Sequence, residues 1–359
     1  MLTEFKPKKD LWSLLQEETR PLVVYGMGNG ADKLFDRLTL IGKTPSAVFA
    51  SDDFVRGQSF RGYRVQRFSD IQATYPSFVV LVSFASRLPA VMDAIYGMAE
   101  EYPVFLPDMP VAGDTYFTLD FARAHAAELK ESYDLLEDTL SKEIFAAVIL
   151  YKITGDIRYL KNAYSTDEEE LGCLQGREIR VAIDGGAYNG DTARKLIHDH
   201  PQIERIYAVE PDPKNRKKLE KFAAECKKCK ILPTHAALWK SCGEMQFNAG
   251  GNRNSSLVSA SYENKGVSTK LITVDSLVAN DHVDFIKYDV EGVEQEALLG
   301  SQNTVLRDHP ALGVSVYHRS EDIYALPVLL KNMCQNYRFY LRRTNCLPAW
   351  EMMLYAVPR

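Results

Sequence analysis

The stretch Val181-Ala-Ile-Asp-Gly-Gly-Ala-Tyr-Asn-Gly-Asp-Thr192 joins a short apolar run to a glycine-rich turn. The apolar run predicts a β-strand, and the shared face of Ala193, Leu196 and Ile197 after the turn predicts a helix. Glycines at a strand-to-helix turn permit positive φ angles and let a ligand approach the backbone closely. The stretch therefore predicts the first strand and helix of an α/β domain, with a ligand site at the turn.

The spacing of the glycines indicates which class of ligand the turn would bind. Gly186 and Gly190 are four residues apart behind Asp184, whereas a dinucleotide fold uses G-x-G-x-x-G to bring helix N–H groups onto a pyrophosphate. A carboxylate at position 184 favours a cationic group instead, such as the amino group or sulfonium of S-adenosylmethionine (SAM). Glu210 ends the next predicted strand, about 20 residues on, where an acidic residue can accept both ribose hydroxyls. We therefore expect SAM as the cofactor; the alternative is a structural turn followed by a surface glutamate.

Strand and helix patterns alternate on both sides of this turn. On the carboxyl-terminal side the strand candidates are residues 179–183, 206–209, 230–232, 284–288, 312–316, 337–341 and 352–356. On the amino-terminal side they are residues 22–25, 47–50 and 78–83. This alternation predicts parallel sheets with crossover helices.

We expect an α/β protein with three parts. Residues 1–110 form a smaller Rossmann-like domain of nucleotide-binding type, residues 111–175 a helical connector, and residues 176–359 a Rossmann-like seven-stranded domain. In the connector, Leu129, Tyr133, Leu136 and Leu140 recur at helical spacing and predict one helix face. Ser141 is the predicted N-cap of a second helix.

Composition limits the class of protein more than its chemistry. The chain has 359 residues, a formal net charge of −5, 46% hydrophobic residues and six cysteines. These values are typical of a soluble globular protein with reduced thiols, give no electrostatic case for nucleic acid or anionic membrane, and predict a cytoplasmic location. The N-terminus does not read as a secretory signal, and no apolar run is long enough to cross a bilayer. The expected partner is a small-molecule or glycan acceptor, and the chain can equally be a monomer or a homo-oligomer.

Three ordered motifs resemble the FkbM family of SAM-dependent methyltransferases. They are residues 181–192, Val209-Glu-Pro-Asp-Pro-Lys-Asn215, and Phe285-Ile-Lys-Tyr-Asp-Val-Glu-Gly-Val-Glu294, which is similar to the family's IKxDxEGxE run. The resemblance covers the last half of the chain and implies an O-methyltransferase acting on a hydroxyl of a sugar, glycan or natural product. Gly185 departs from the family, which usually has a bulkier residue there, and we expect it to loosen the turn.

The resemblance also implies which residues contact SAM. The expected cofactor residues are Asp184, Gly185, Gly186, Ala187, Asn189, Gly190, Asp191, Thr192, Glu210, Pro211, Ala236, Ala237 and Asp289. Glu210 would hold the ribose, and the turn at Ala236 and Ala237 would border the adenine.

Charged residues after the fourth and fifth strands are the catalytic candidates. Lys287, Asp289 and Glu291 would point to the same side of a strand, and Asp289 should lie next to the transferred methyl. His318 follows the fifth strand and is a candidate base. The alternatives are that Glu291 and Glu294 only begin a helix, or that Asp289, Glu291 and His318 bind a divalent metal; we expect no metal.

Two further sets of residues are weaker candidates. For the acceptor they are Asn254, Ser255, Ser256 and Glu294. For a nucleotide in the amino-terminal domain they are Gly26, Gly28, Ala31 and Asp52, in a G-x-G-x-x-A turn and after the second strand. Because we expect only about three strands there, this turn is either a nucleotide site or a scaffold for substrate or dimer contacts. Rival functions are an NAD-dependent oxidoreductase using this turn and a SAM- or nucleotide-binding regulatory protein.

Overall fold

A computed structural model describes residues 7–248, 256–257 and 267–359. The amino-terminal part is an α/β sheet with its helices. Its strands are β1 (Leu22–Tyr25), β2 (Ala47–Phe49), β3 (Ser59–Phe60), β4 (Tyr63–Gln66), β5 (Val79–Val82) and β6 (Val104–Phe105). Its helices are α1 (Leu11–Glu17), α2 (Asn29–Leu40), α3 (Phe68–Thr74) and α4 (Pro89–Glu101), with a 3-10 turn at Asp52–Phe54.

These strands form a sheet of six in the order β3-β4-β2-β1-β5-β6. The expectation of about three strands was therefore wrong. Strands β3, β4 and β6 are two to four residues long, too short to produce a clear apolar pattern. All pairs are parallel except β3 with β4.

Helices follow in the middle of the chain. They are α5 (Leu119–Ala124), α6 (Ala126–Leu135) and α7 (Thr139–Thr154), with a 3-10 helix at Ile157–Leu160. The predicted single face from Leu129 to Leu140 was wrong, because the chain leaves the helical conformation at Leu136 and Leu140 lies in α7. Asp138, not Ser141, is the N-cap of α7, and its side chain accepts a hydrogen bond from the backbone N–H of Ser141.

The carboxyl-terminal part contains a large sheet and a small one. Its strands are β7 (Val181–Gly185), β8 (Arg205–Val209), β9 (Lys230–Thr234), β10 (Ala237–Leu238), β11 (Gly243–Asn248), β12 (Ser256–Leu257), β13 (Val267–Ile272), β14 (Phe285–Tyr288), β15 (Ala311–Ser315), β16 (Tyr337–Arg343) and β17 (Met352–Pro358). Its helices are α8 (Asp167–Gly172), α9 (Asp191–Asp199), α10 (Pro213–Glu225), α11 (Val274–Val278), α12 (Glu294–Leu299), α13 (Gln302–Asp308) and α14 (Asp322–Met333).

The large sheet has seven strands in the order β16-β17-β15-β14-β7-β8-β9. Strand β17 runs antiparallel to both of its neighbours, and the other pairs are parallel. The seven-stranded Rossmann-like fold predicted from the sequence is thus confirmed. The carboxyl ends of β7, β8, β9 and β14 meet at one edge, where such sheets bind ligands. The small sheet β10-β13-β11-β12 was not predicted.

A shared core joins the parts. One cluster of buried apolar side chains includes Val80 in β5, Val148 in α7 and Ile286 in β14, so α7 packs between the two sheets. The contact is reinforced by Arg342 in β16, which donates to the Asp138 carboxylate at 2.6 Å. No helix in the described part of the chain combines the length and apolar character needed to span a bilayer.

We expect Asp138→Ala to lower the free energy of unfolding by about 1–3 kcal/mol, because it removes the cap of α7 and a partner of the mostly buried Arg342. Urea unfolding followed by circular dichroism measures the change. Asp138→Asn is the matched control: it keeps a capping oxygen and should lose less. If both variants lose the same free energy of unfolding, the capping oxygen at position 138 contributes nothing to stability.

Candidate active site

The glycine turn after β7 packs directly against the loop after β14. Gly186 has a φ of +79°, and a Cβ there would lie 1.9 Å from the carbonyl oxygen of Asp289. Gly190 has a φ of +85°, and its Cβ would lie 2.6 Å from the ring of Phe222 in α10. Both positions therefore require glycine for conformation and for space. The turn is held where the carboxyl ends of β7 and β14 meet.

Gly185 does not loosen this turn, contrary to expectation. It lies within β7, and a Cβ would come within 2.8 Å of the carbonyl oxygen of Lys287 and 2.7 Å of the Leu238 side chain. Neighbouring protein atoms thus occupy the space that a side chain at position 185 would need, so the chain is closely packed at this position.

Glu210 lies at the end of β8 and is fixed by backbone donors. The N–H groups of Tyr188 and Asp212 donate to its two carboxylate oxygens at 2.8 and 2.7 Å. Burial raises the pKa of Glu210 to about 7, although these two hydrogen bonds oppose the shift. A carboxylate has about four lone-pair directions, so Glu210 keeps acceptor capacity for a ligand.

Lys287 is the centre of a buried charge cluster. Its ammonium lies 3.5 Å from a carboxylate oxygen of Asp184 and 3.4 Å from one of Asp289. Burial raises the pKa of Asp184, and Lys287 opposes that shift. Asp184 is fully buried and does not line the cavity described below. Its partner is therefore Lys287, and its interaction with the cationic part of SAM, directly or through water, stays a prediction.

Asp289 is the member of this cluster that reaches open space. A quarter of its side chain is exposed, and the hydroxyl of Tyr317 donates to its Oδ1 at 3.4 Å. Burial alone would raise the pKa of Asp289, but the positive charges of Lys287 and His318 lower it below the ordinary value. Asp289 is therefore an ionised carboxylate at neutral pH.

His318 is fully buried among carboxylates. Its Nδ1 lies 2.9 Å from Glu294 Oε1, and its Nε2 lies 3.5 Å from Asp289 and 3.6 Å from Glu291. Burial by itself would lower the pKa of His318, but the carboxylates, Glu294 above all, raise it to about 10. An imidazolium cannot accept a proton, so the predicted role of His318 as a base is not supported.

Glu294 holds the loop instead of facing an acceptor. Its Oε1 accepts hydrogen bonds from the N–H of Val290 at 2.9 Å and of Gly292 at 3.4 Å, and its side chain is 1% exposed. Its prediction as an acceptor contact is therefore contradicted. Glu291 adopts a φ of +57° ahead of α12 and does line the cavity.

The same groups bear on the metal alternative. Asp289, Glu294 and His318 place one ligand atom each within 4.8 Å of one another. The set differs from the one considered from the sequence, which had Glu291 in place of Glu294. Because the surrounding carboxylates raise the pKa of His318 to about 10, a metal ion would have to displace a proton from the imidazolium at neutral pH.

A cavity of about 460 Å³ connects these features. Of the predicted residues, those that line it are Gly186, Asp191, Thr192, Glu210, Pro211, Ala236, Ala237, Lys287, Asp289 and Glu291. Those that do not line it are Asp184, Gly185, Ala187, Asn189, Gly190, Glu294 and His318. Lining residues that the sequence did not indicate include Arg87, Tyr188, Asn215, Tyr317, Thr344 and Glu351. Tyr188 and Asn215 lie within the motifs quoted above and Tyr317 precedes His318, whereas Arg87, Thr344 and Glu351 carried no signal.

The remaining candidates lie elsewhere. Asn254 and Ser255 are outside the described residues, and Ser256 begins β12. Gly28 caps α2 and Ala31 is buried in that helix, while Asp52 is exposed in a 3-10 turn. Gly26 has a φ of +120°, and its Cβ would lie 2.6 Å from Ser83 and 2.9 Å from Phe84. None of these amino-terminal residues lines the cavity.

Lys287→Met should lower the free energy of unfolding by about 3–5 kcal/mol, because it leaves the fully buried Asp184 without its cation. Denaturant unfolding measures the loss. The double variant Asp184→Asn/Lys287→Met is the control and should recover a large part of it. If the double variant is no more stable than the single one, the ion pair is not the reason.

His318 should stay protonated well above neutral pH. Its pKa is raised in the folded state, so its contribution to stability is complete below about pH 6.5 and is lost as the pH rises through about 10. NMR titration of ¹⁵N-labelled histidine rings, with His318→Gln for assignment, should show a ring that does not titrate between pH 5.5 and 8.5. Titration near pH 6.5 would restore the base role.

Residues 184–343 match the family model described as the methyltransferase FkbM domain. The methyltransferase FkbM from Methylobacillus flagellatus KT is similar over 98% of this chain and 95% of its own, with 18% identity and a TM-score of 0.74. This similarity shows the fold of nearly the whole chain. No curated protein matches significantly.

Two other solved structures are similar over about half of this chain. An rRNA methylase from Streptococcus thermophilus is similar over 53% of this chain and 93% of its own, with 9% identity and a TM-score of 0.35. Fibrillarin from Aeropyrum pernix, solved with bound S-adenosyl-L-methionine, is similar over 53% of this chain and 74% of its own, with 16% identity and a TM-score of 0.33.

Proposed function

We propose that the protein is a SAM-dependent O-methyltransferase, because residues 184–343 match the model of the methyltransferase FkbM domain. Its acceptor is a hydroxyl group of a sugar, glycan or natural product. The observation that carries the proposal is the cavity that brings Gly186, Glu210 and Asp289 to one space. One ligand in this cavity would then be bordered by the glycine turn, by the oriented side chain of Glu210 and by the ionised carboxylate of Asp289.

The chain's residues fit a cationic nucleoside cofactor. Glu210 is held by two backbone N–H groups and keeps lone pairs for the ribose hydroxyls. Ala236 and Ala237 have small side chains on the cavity wall and leave room for a base. Asp191, at the start of α9, adds negative charge where a helix end by itself would favour an anion.

When bound, SAM supplies an electrophilic methyl group on a positively charged sulfur. The protein's task is to hold an acceptor hydroxyl in line with that group, and such alignment can supply about 7–11 kcal/mol of the barrier. Asp289 follows the end of β14, lines the cavity and is ionised. It accepts a hydrogen bond from the acceptor hydroxyl and takes its proton. Tyr317 restrains Asp289 Oδ1 by a hydrogen bond at 3.4 Å.

Asp289→Asn should reduce methyl transfer by about 10²–10⁴-fold, because the amide cannot accept the proton. Binding of SAM should change by less than about threefold, since the asparagine keeps the shape of the side chain. Calorimetric titration measures SAM binding, and transfer of radiolabel from SAM to a panel of sugars, glycans and natural products measures turnover. Asp93→Asn, on the exposed side of α4, is the control and should behave as the wild type.

Two outcomes would contradict the proposal. Tight binding of NADH together with no binding of SAM would favour an oxidoreductase that uses the amino-terminal turn. Binding of SAM with turnover unchanged in Asp289→Asn would remove Asp289 from the reaction.

A further inference from the structure

The cavity is completed by a side chain from the amino-terminal sheet. The proposed cofactor residues Gly186, Glu210 and Ala236 follow β7, β8 and β9, so they occupy one half of the sheet edge. Another part of the cavity is lined from the loop after β14, from β15 and the residues after it, from the β16–β17 connection and from the loop after β5. We call this part the acceptor face; its polar residues are Arg87, Asp289, Glu291, Ser315, Tyr317, Thr344 and Glu351.

Arg87 is fixed in this wall by backbone contacts between the two sheets. The neighbouring Ser86 forms a two-way backbone bridge with Leu347, with N–O distances of 2.7 and 3.0 Å. The guanidinium of Arg87 forms an ion pair with Glu351, which belongs to the same β16–β17 connection as Leu347. The loop after β5 and this connection therefore form one continuous surface.

The glycine turn of the amino-terminal sheet positions the same loop. A Cβ at Gly30 would lie 2.1 Å from the carbonyl oxygen of Ser83, and one at Gly26 would lie 2.6 Å from the Ser83 hydroxyl. Ser83 in turn donates from its hydroxyl to the carbonyl oxygen of Tyr25 at 2.9 Å. The glycines thus allow α2 and β1 to pack tightly on the segment that leads to Arg87.

Three of the seven non-glycine residues with positive φ in the described part of the chain border the cavity. Tyr188, Glu291 and Glu351 have φ angles of +47°, +57° and +56°, a region that residues other than glycine rarely occupy. All three line the cavity. Non-glycine residues held in this conformation concentrate at functional sites, so the position of Glu351 beside Arg87 points to a role in binding.

We propose that Arg87 and Glu351 recognise adjacent hydroxyl groups of an uncharged acceptor and thereby determine acceptor specificity. The inference rests on the proposed methyltransferase function. A guanidinium only donates and a carboxylate only accepts hydrogen bonds, whereas a hydroxyl does both. The pair therefore presents a donor beside an acceptor, which matches neighbouring hydroxyls.

Charge selects against anionic acceptors. The acidic side chains on the cavity wall, which include Asp289, Glu291 and Glu351, outnumber its lysine and arginine side chains, which are Arg87, Lys195 and Lys287. Lys287 is already committed to the buried Asp184 and to Asp289, and Arg87 to Glu351. A phosphate or carboxylate on the acceptor would therefore meet a wall on which acidic groups are in excess.

The test uses the full chain and defined probes: methyl glucoside, methyl galactoside and methyl mannoside, each paired with its uronic acid counterpart. Methyl transfer from labelled SAM is measured against probe concentration. We expect at least one neutral glycoside to be methylated with a kcat/KM at least tenfold above that of its uronic acid. Arg87→Met and Glu351→Gln should each lower that kcat/KM at least tenfold, mainly by raising KM for the glycoside.

Controls separate recognition from folding. The affinity for SAM in Arg87→Met should stay within twofold of the wild type, and Arg87→Lys should recover part of the activity. Arg61→Met removes an arginine that pairs with Asp32 and Asp36 on the same sheet but does not line the cavity; its kinetics should be those of the wild type.

The inference is overturned if Arg87→Met behaves as Arg61→Met does, or if the uronic acids are the better substrates. It is also overturned if the wild type binds SAM yet methylates none of the neutral glycosides, a result that leaves the proposed function standing. Failure of the wild type to bind SAM would instead refute the proposed function itself.

Discussion

The ammonium of Lys287, held between Asp184 and Asp289, is the interaction on which the carboxyl-terminal site depends. A buried charge costs several kcal/mol unless it is paired, and Lys287 has one partner on the adjacent strand and one at the end of its own. The pairing therefore fixes β14 against β7 and aims Asp289 along the sheet edge. Gly186 packs on the carbonyl oxygen of Asp289, so Asp289 also holds the glycine turn after β7 in place.

A second buried cation has a consequence for the proposed chemistry. His318 lies beside Oδ1 of Asp289 and Lys287 beside Oδ2, and both charges lower the pKa of that carboxylate. A carboxylate with a lowered pKa is a weak base. Under the proposed mechanism, most of the rate enhancement must then come from aligning the acceptor. The proton would move to Asp289 late, when the forming bond has made the hydroxyl strongly acidic.

The sequence predicted the strands of the large sheet well, because their apolar runs are long and the motifs at their ends are local. It could indicate that Asp184, Asp289 and His318 lie near one sheet edge, but not which of them faces open space. Which of the three faces open space depends on contacts between side chains more than 100 positions apart in the sequence, such as Asp184 and Lys287. Arg87 gave no signal, since its partner Glu351 lies in the other half of the chain. The break at Leu136 was missed because the apolar spacing continues across two helices.

Two glycine turns with similar sequences have different surroundings in this chain. The turn at Gly186 packs on the backbone after β14, yet its flanking residues Asp191 and Thr192 border the cavity. The turn at Gly26 is covered by Ser83 and Phe84, and its flanking residues do not reach the cavity. In both cases the glycine pattern therefore allows close packing. The neighbouring strand and the loop after it determine which residues pack against the turn. In the amino-terminal sheet that neighbour leads to Arg87, so the turn can act on the site without binding a ligand itself.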